Sequence, residues 1–391
     1  MAEYKPFVQR LKFNKIISEK FDIIKSYYYN EPLFNLGYHY YLKQVRQKLN
    51  SDDLLKRIFY LIVNKFEISI PDYENDLENK LKKKLKIEHF YSRDFFKIWE
   101  ILSFFNIVDE KSIKSLSISE NGGFVQGIHY FREYYFKNSN DKLSYESKNK
   151  KEEFSIKNNK FTKLDKNNPL ETFNISNSLL TVIDINKFIK DNKLSNLDLI
   201  TSNGSDKGES FSYKYLVSNL LLVMKLQNKG GKFILRLGDI YTSFTVKIIN
   251  ILNDCYKEIY LFKPLFSREY TNEKYLICIN FILSDKDKTN LISKLEKLLD
   301  EFNKNKFVIT DFITSKNYDS DELKDIINLN NLLSNNEHNN INKIIEYRNK
   351  KNYFGEEYHI YKENQIKNSD YWYDTFIRKN YKELLSFHKS K

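Results

Sequence analysis

The chain reads as an α/β fold: helices sandwiching a largely parallel sheet, with helical extensions at both ends. Three observations predict this. Between about residues 91 and 285, short apolar runs alternate with amphipathic helical stretches, the mark of strand–helix–strand units. The last two strands of that span, "EIYLFKP" (258–264) and "KYLICINFIL" (274–283), lie too close for a crossover helix. They should therefore pair antiparallel at one edge. Outside the span, apolar residues recur mainly at helical spacing.

Taken in order, residues 1–90 read as helical. In "DDLLKRIFYLIVNKFEI", Leu54, Leu55, Ile58, Phe59 and Ile62 share a helical face, with Asp52 or Asp53 as cap. "ENDLENKLKKKLKIEHF" is a second amphipathic stretch, and its lysines 82–84 fit a solvated face better than a binding site. "FFKIWEILSFF" (95–105) is a helix. "SIKSLSISENGGFVQGIHYFREYYF" is strand, glycine turn and helix. Residues 137–170 are polar and rich in Asn and Lys, which predicts a long loop or mobile insertion. Strands follow at 179–185 and 197–205, the second ending in an Asn-Gly turn, then an apolar helix (213–228) stopping at Gly230–Gly231. Strand 232–237, helix 241–255 and the two edge strands complete the span. Residues 286–391 form a helical, Asn-rich extension ending in an aromatic, basic helix.

A net charge of +12 favours an anionic partner, and nucleic acid is the commonest. Part of that excess reflects a composition crowded with Lys, Asn, Ile, Tyr and Phe, as AT-rich coding gives. Cys255 and Cys278 offer neither zinc spacing nor a disulfide framework, which suits a reducing intracellular compartment. The six histidines are scattered without metal-ligand spacing, and no phosphate loop of the glycine-rich Lys-Ser/Thr kind occurs. "MAEYKPFVQRLKF" lacks a signal-peptide core, and no apolar run reaches membrane length.

Two places could carry chemistry. In "SISENGGFVQGIHYF" a glycine turn joins a strand to a helix, so Ser119, Glu120, Gly122, Gly123 and Phe124 could border a nucleotide-like cofactor. A simple tight turn fits equally. Asp184, expected at a strand end, could accept from an adenine amine or a ribose hydroxyl, or merely cap "INKFIKDN". The second place is "KPLFSREYTNEKYLICINFIL" (263–283), a charged hairpin running straight into a core strand. It is either a solvated turn or a site wall that brings Glu273 to a substrate.

Together these segments resemble the FtsJ-type RNA ribose 2′-O-methyltransferases, including cap-specific ones, over about residues 91–283. "YSRDFFKIWEIL" is similar to the segment with that family's first catalytic lysine, which puts Lys97 there. "SENGGF" stands at the methyl-donor loop, "LDLITSNGS" at the strand with the catalytic aspartate, and "KGGKFILRLGD" at the second lysine. "FKPLFSREYTNEKYLIC" matches the family's closing Lys-Pro, Ser-Arg and glutamate. The resemblance implies a Rossmann-like methyltransferase sandwich and S-adenosylmethionine as cofactor. It implies a catalytic set of Lys97, Asn203, Arg236 and Glu273, with Ser267 and Arg268 facing RNA. A protein partner in a capping or transcription complex, and a cytoplasmic setting such as a viral factory, are further expectations.

The departures bear on activity. A ribose hydroxyl must lose a proton as it attacks the sulfonium methyl, and the family's lysines assist. Arg236 cannot accept a proton. Asn203 accepts a hydrogen bond but brings no charge. Asn121 replaces the usual proline of the donor loop. Three accounts stay open. Asp198 or Asp206 supplies the missing carboxylate; or Lys97 serves as base in a changed tetrad that still works slowly; or the domain is a degenerate relative kept for binding RNA or a partner.

Overall fold

The structure, a computed structural model, describes residues 6–28, 30–49, 57–120, 122–137, 140–147, 171–173, 179–204, 208–304, 307–350 and 353–384. Its strands are β1 (Phe7–Leu11), β2 (Ile24–Ser26), β3 (Lys114–Glu120), β4 (Lys142–Ser147), β5 (Glu171–Phe173), β6 (Leu197–Ser202), β7 (Gln227–Leu237), β8 (Tyr256–Lys263), β9 (Lys274–Phe281) and β10 (Val308–Asp311). Its helices are α1 (Leu36–Gln47), α2 (Arg57–Val63), α3 (Leu77–Leu85), α4 (Asp94–Phe105), α5 (Gly123–Phe136), α6 (Val182–Asp191), α7 (Tyr213–Leu226), α8 (Ser243–Cys255), α9 (Asp285–Lys304), α10 (Ser320–Lys350) and α11 (Glu356–Phe376).

Eight strands form one sheet in the order β1-β8-β9-β7-β6-β3-β4-β5. β5, β4, β3, β6 and β7 run parallel. β9 is antiparallel to both β7 and β8, and β1 to β8. This is the predicted Rossmann-like methyltransferase sandwich with its antiparallel edge. From β3 the chain steps outward to β4 and β5, then returns to β6 on the other side of β3. That reversal opens a crevice at the carboxyl ends of β3 and β6, where ligands of doubly wound sheets bind.

Strand alternation supplies two cores. Phe233, Leu235, Leu276 and Cys278 face α7, α8 and α9. Ile234, Tyr275, Ile277 and Leu199 face α4, α5 and the C-terminal Trp372. Each fully buried aromatic or aliphatic side chain contributes roughly 1.5–3 kcal/mol, before the entropy of ordering it.

Four expectations change. Residues 179–185 are not a strand. Thr181 accepts from the Asp184 backbone N–H at 3.0 Å and donates to Asp184 Oδ2 at 2.7 Å, so a local cap starts α6 despite the β-branched run. Ile185 and Phe188 are buried while Ile183 is exposed, a helical period. Second, Lys142–Ser147, inside the expected loop, is β4, paired with β3; residues 148–170 lie outside the described ones. Third, α7 ends at Leu226, where Gln227 Nε2 donates to Leu197 O at 2.9 Å and draws the chain into β7. Gly230–Gly231 therefore sit in an irregular stretch of β7, between the pairs Leu197–Gln227 and Leu199–Lys232. Fourth, the N-terminal residues are not all helical: β1 joins the main sheet and β2 pairs with β10.

The extensions also build a third, smaller core. Val45 of α1, Phe59 and Val63 of α2, and Ile341 and Tyr347 of α10 cluster around Tyr270, in the turn between β8 and β9.

Candidate active site

The site is built at the carboxyl edge of the sheet. Asp94 and Lys97 lie one turn apart on α4, hence on one face. Asn203 follows β6, with its backbone N–H bonded to Ile118 O at 3.2 Å. Gly204 adopts φ +65, and a Cβ there would lie 2.6 Å from Arg236 O. Only glycine lets the end of β6 come that close to β7. Arg236 on β7 is paired in register with Tyr275 on β9, and Glu273 immediately precedes β9.

All four predicted catalytic positions converge. Lys97 Nζ donates to Glu273 Oε1 at 2.7 Å and Oε2 at 2.9 Å, and to Asp94 Oδ1 at 2.8 Å. Arg236 Nε lies 2.9 Å from Glu273 Oε1, to which Tyr275 also donates its hydroxyl at 2.8 Å. Asn203 Nδ2 donates to Asp94 Oδ2 at 2.9 Å. Lys97, Asp94, Glu273 and Asn203 are buried, while the Arg236 side chain keeps 25% of its surface exposed. Burial pushes the Glu273 and Asp94 carboxyls up, but the Lys97 charge beside both, joined by Arg236, outweighs it. Both carboxyls are held below their ordinary values.

Three of the hairpin's charges are buried, so a wholly solvated turn does not hold. Lys263 is 8% exposed, Glu273 5% and Lys274 1%. Lys263 Nζ donates to Thr271 O at 2.8 Å and Glu273 O at 3.1 Å, which fixes the turn that carries Glu273. Lys274 Nζ donates to Gly238 O and Asn272 O. The turn is also held from outside. Buried Glu100 accepts from the Leu265 and Phe266 backbone N–H groups and from Trp372 Nε1. Arg93 donates to Phe266 O at 3.0 Å. In consequence Ser267 is buried, and of the expected RNA-facing pair only Arg268, half-buried against the Tyr270 ring, reaches the surface.

Asp198, a candidate for the missing carboxylate, sits at the opposite end of β6, where its Oδ2 accepts from the Lys114 backbone N–H at 2.9 Å. Asp206 lies outside the described residues. Besides Glu273, the carboxylate that meets Lys97 is Asp94, which sequence reasoning missed. Its signal was the i, i+3 spacing in "DFFK".

Of the expected donor loop, the described part is its glycine turn. Gly122 and Gly123 open α5, and a side chain at Gly123 would run into Ser92 Oγ and Asp94 Cβ. This tight packing brings the loop beside the charged cluster. Phe124 is buried, its ring centroid 5.8 Å from that of Tyr275. Ser119 and Glu120 belong to β3, but their side chains, like all of Asn121, lie outside the described residues. Asp184 is engaged by Thr181 in the first turn of α6 rather than ending a strand. Buried Glu146, near the carboxyl end of β4, is a further candidate that sequence reasoning did not name. It lies about twenty residues beyond the glycine turn, where such folds place an acid against ribose hydroxyls. The polar composition around "KLSYES" concealed it.

The residues fit S-adenosylmethionine. Asn203 Oδ1 is buried without a partner and can accept from an ammonium. Glu146 offers an acceptor for hydroxyls, and the glycine turn admits a close ligand. Beside Arg236, a small cleft bordered by Glu209, Tyr215, Asp239 and Thr245 opens to solvent. Among the described residues no cluster of His, Cys, Asp and Glu could hold a metal ion. Nor is any helix of theirs long and apolar enough to cross a membrane.

A family model described as FtsJ-like methyltransferase matches residues 90–281. That segment is a domain of the FtsJ-like methyltransferase family. Over 74 residues it is 35% identical to cap-specific mRNA (nucleoside-2'-O-)-methyltransferase 1 of Trypanosoma brucei brucei, covering 19% of this chain and 20% of that protein. The protein of that name from Bos taurus is 34% identical over 70 residues, 18% of this chain and 8% of the relative. Cap-specific mRNA (nucleoside-2'-O-)-methyltransferase 2 of Drosophila melanogaster is 24% identical over 110 residues, 26% and 16% of the two chains. The matched stretches thus span a fifth or less of each relative. A crystal structure of human Methyltransferase-like protein 13 in complex with SAH aligns with a TM-score of 0.32 at 14% identity, covering 53% of this chain and 88% of that one. The FtsJ-like match contains every residue of the charged cluster.

Proposed function

We propose that this FtsJ-like domain transfers the methyl group of S-adenosylmethionine to a ribose 2′-hydroxyl of RNA, at a cap-adjacent nucleotide of mRNA. The observation that carries the reading is the convergence of Lys97, Arg236 and Glu273 beside the glycine turn. The family and the names of the relatives support it.

The cofactor, when bound, supplies an electrophilic methyl on sulfonium. This chain's residues hold the acceptor hydroxyl and stabilise the charge that grows on its oxygen. Lys97 and Arg236 present two cations for that task, and Glu273 fixes both in place. Arg236 cannot take the proton. Lys97, donating to two carboxylates, enters as an ammonium. The hydroxyl proton therefore passes to water, and transfer is slow for want of a strong base.

One observation favours a second reading. All three Lys97 hydrogen bonds go to protein carboxylates, and a guanidinium at 236 is a good phosphate ligand. On that reading the domain is a catalytically silent relative that binds RNA or scaffolds a capping or transcription complex. The composition fits a cytoplasmic protein of a large DNA virus or an AT-rich unicellular eukaryote in either case.

Radiolabelled S-adenosylmethionine, incubated with capped and uncapped RNA, separates the two. Slow labelling of capped RNA that vanishes in Lys97→Ala supports the enzyme. RNA binding without any labelling selects the silent relative. Neither labelling nor RNA binding defeats both.

A further inference from the structure

We infer that Asp94 does the work of the aspartate that position 203 lacks, the orienting carboxylate having moved from the end of β6 to the first turn of α4. This rests on the methyltransferase reading above. Asp94 divides its two oxygens: Oδ1 accepts from Lys97 Nζ at 2.8 Å and Oδ2 from Asn203 Nδ2 at 2.9 Å. It is buried, so its charge acts through little water. Its place in the first turn of a helix also favours an anion.

Asn203 then stops looking like erosion. An aspartate at 203 would set a second carboxylate against Asp94 Oδ2 at the distance an amide donor now occupies. Two carboxylates that close cannot both ionise. An amide is what a neighbouring carboxylate at 94 requires: uncharged, of the same shape, and a donor. With Asp94 included, the cluster holds two cations, Lys97 and Arg236, and two anions, Asp94 and Glu273. A further aspartate would unbalance it. Asp94 touches Lys97 and not the reacting atoms, so it is a positioning residue.

The test is an exchange. Asp94→Asn, Asn203→Asp and the double variant are compared with the natural protein in methyl transfer to capped RNA. The lysine ammonium ¹⁵N signals are recorded in parallel, with Lys97 assigned by its loss in Lys97→Met. Each single change should slow transfer about tenfold or more, the size of coupling expected between contacting groups. The double variant should return to within about threefold of the natural rate. A slowly exchanging Lys97 ammonium signal should be present in the natural and double proteins and absent from both singles. A natural rate in Asp94→Asn, or a double variant no better than the worse single, overturns the assignment. If the natural protein labels no RNA, the enzymatic reading fails on its own. The ammonium signal then decides: its persistence in Asp94→Asn overturns the positioning role, and its loss there with recovery in the double variant upholds it.

Discussion

Glu273→Gln should unfold more easily than the natural protein by about 3 kcal/mol, and should methylate nothing. Glu273 Oε1 accepts from Lys97 at 2.7 Å, lies 2.9 Å from Arg236 Nε, and takes the Tyr275 hydroxyl at 2.8 Å. Glutamine keeps the shape but turns an anion into an amide, whose N–H₂ group would face donors. Removing one partner of a buried ion pair costs about 3–5 kcal/mol, because the other charge is left without compensation. Two features pull the figure to the low end. Lys97 keeps Asp94, and Arg236, one-quarter exposed, can turn to water. Urea unfolding followed by circular dichroism measures the change, as a lower midpoint at constant slope. Acid should add a second mark. The Glu273 and Asp94 carboxyls are held below their ordinary values, so the stability they contribute is present above those values and lost as pH falls through the lowered ones. Glu273→Gln should therefore lose less stability on acidification below about pH 4. An unchanged urea midpoint with an unchanged acid limb would refute a cluster held by charge.

Three further outcomes follow from the same geometry. S-adenosylhomocysteine at 100 times its dissociation constant should stabilise the protein by about 2.7 kcal/mol in a thermal scan. Glu146→Gln should shrink that shift, whereas Asp184→Ala should lower the baseline by about 1 kcal/mol through the lost hydrogen bond from the Thr181 hydroxyl and leave the shift intact; the reverse would restore Asp184 as the cofactor ligand. Arg268→Ala should weaken RNA binding and flatten the plot of log affinity against log salt by about 0.7 for each phosphate that the guanidinium neutralises, and an unchanged slope would place the RNA elsewhere. Burial pushes the Lys274 ammonium down to about 8, although the Asp239 charge opposes it. The unfolded chain then holds that proton more tightly, so stability should climb between pH 8 and 9.5. Lys274→Met should flatten this climb, and a flat natural profile would contradict the burial argument.

Much of the sheet was legible because its strands are continuous apolar runs whose burial no local signal contests. "LDLITS", "KFILRL" and "KYLICINF" became β6, the second half of β7, and β9. The convergence of Lys97, Asn203, Arg236 and Glu273 was legible through the resemblance. What failed did so for identifiable reasons. The Thr181–Asp184 cap is a local device that overruled a β-branched run. β4 is polar on one side, and β1 makes sense only beside a partner far along the chain. Asp94 was hidden because its meaning depends on Asn203, which β6 brings to it from another part of the sequence.

The pairing of β1 with β8 has a consequence for how the protein is made. Phe7 must find Lys263, and Leu11 must find Ile259. β1 thus leaves the ribosome long before the strand with which it pairs. Pairings of such long sequence separation form slowly. Until they do, β8 presents a bare row of backbone donors and acceptors, a template for pairing with another chain. A fragment trimmed to residues 90–281 would keep that edge open for good. It would also lose Trp372 from beneath Glu100 and the turn that carries Glu273. Such a fragment should aggregate where the longer chain does not, so expression trials on this protein should retain both ends.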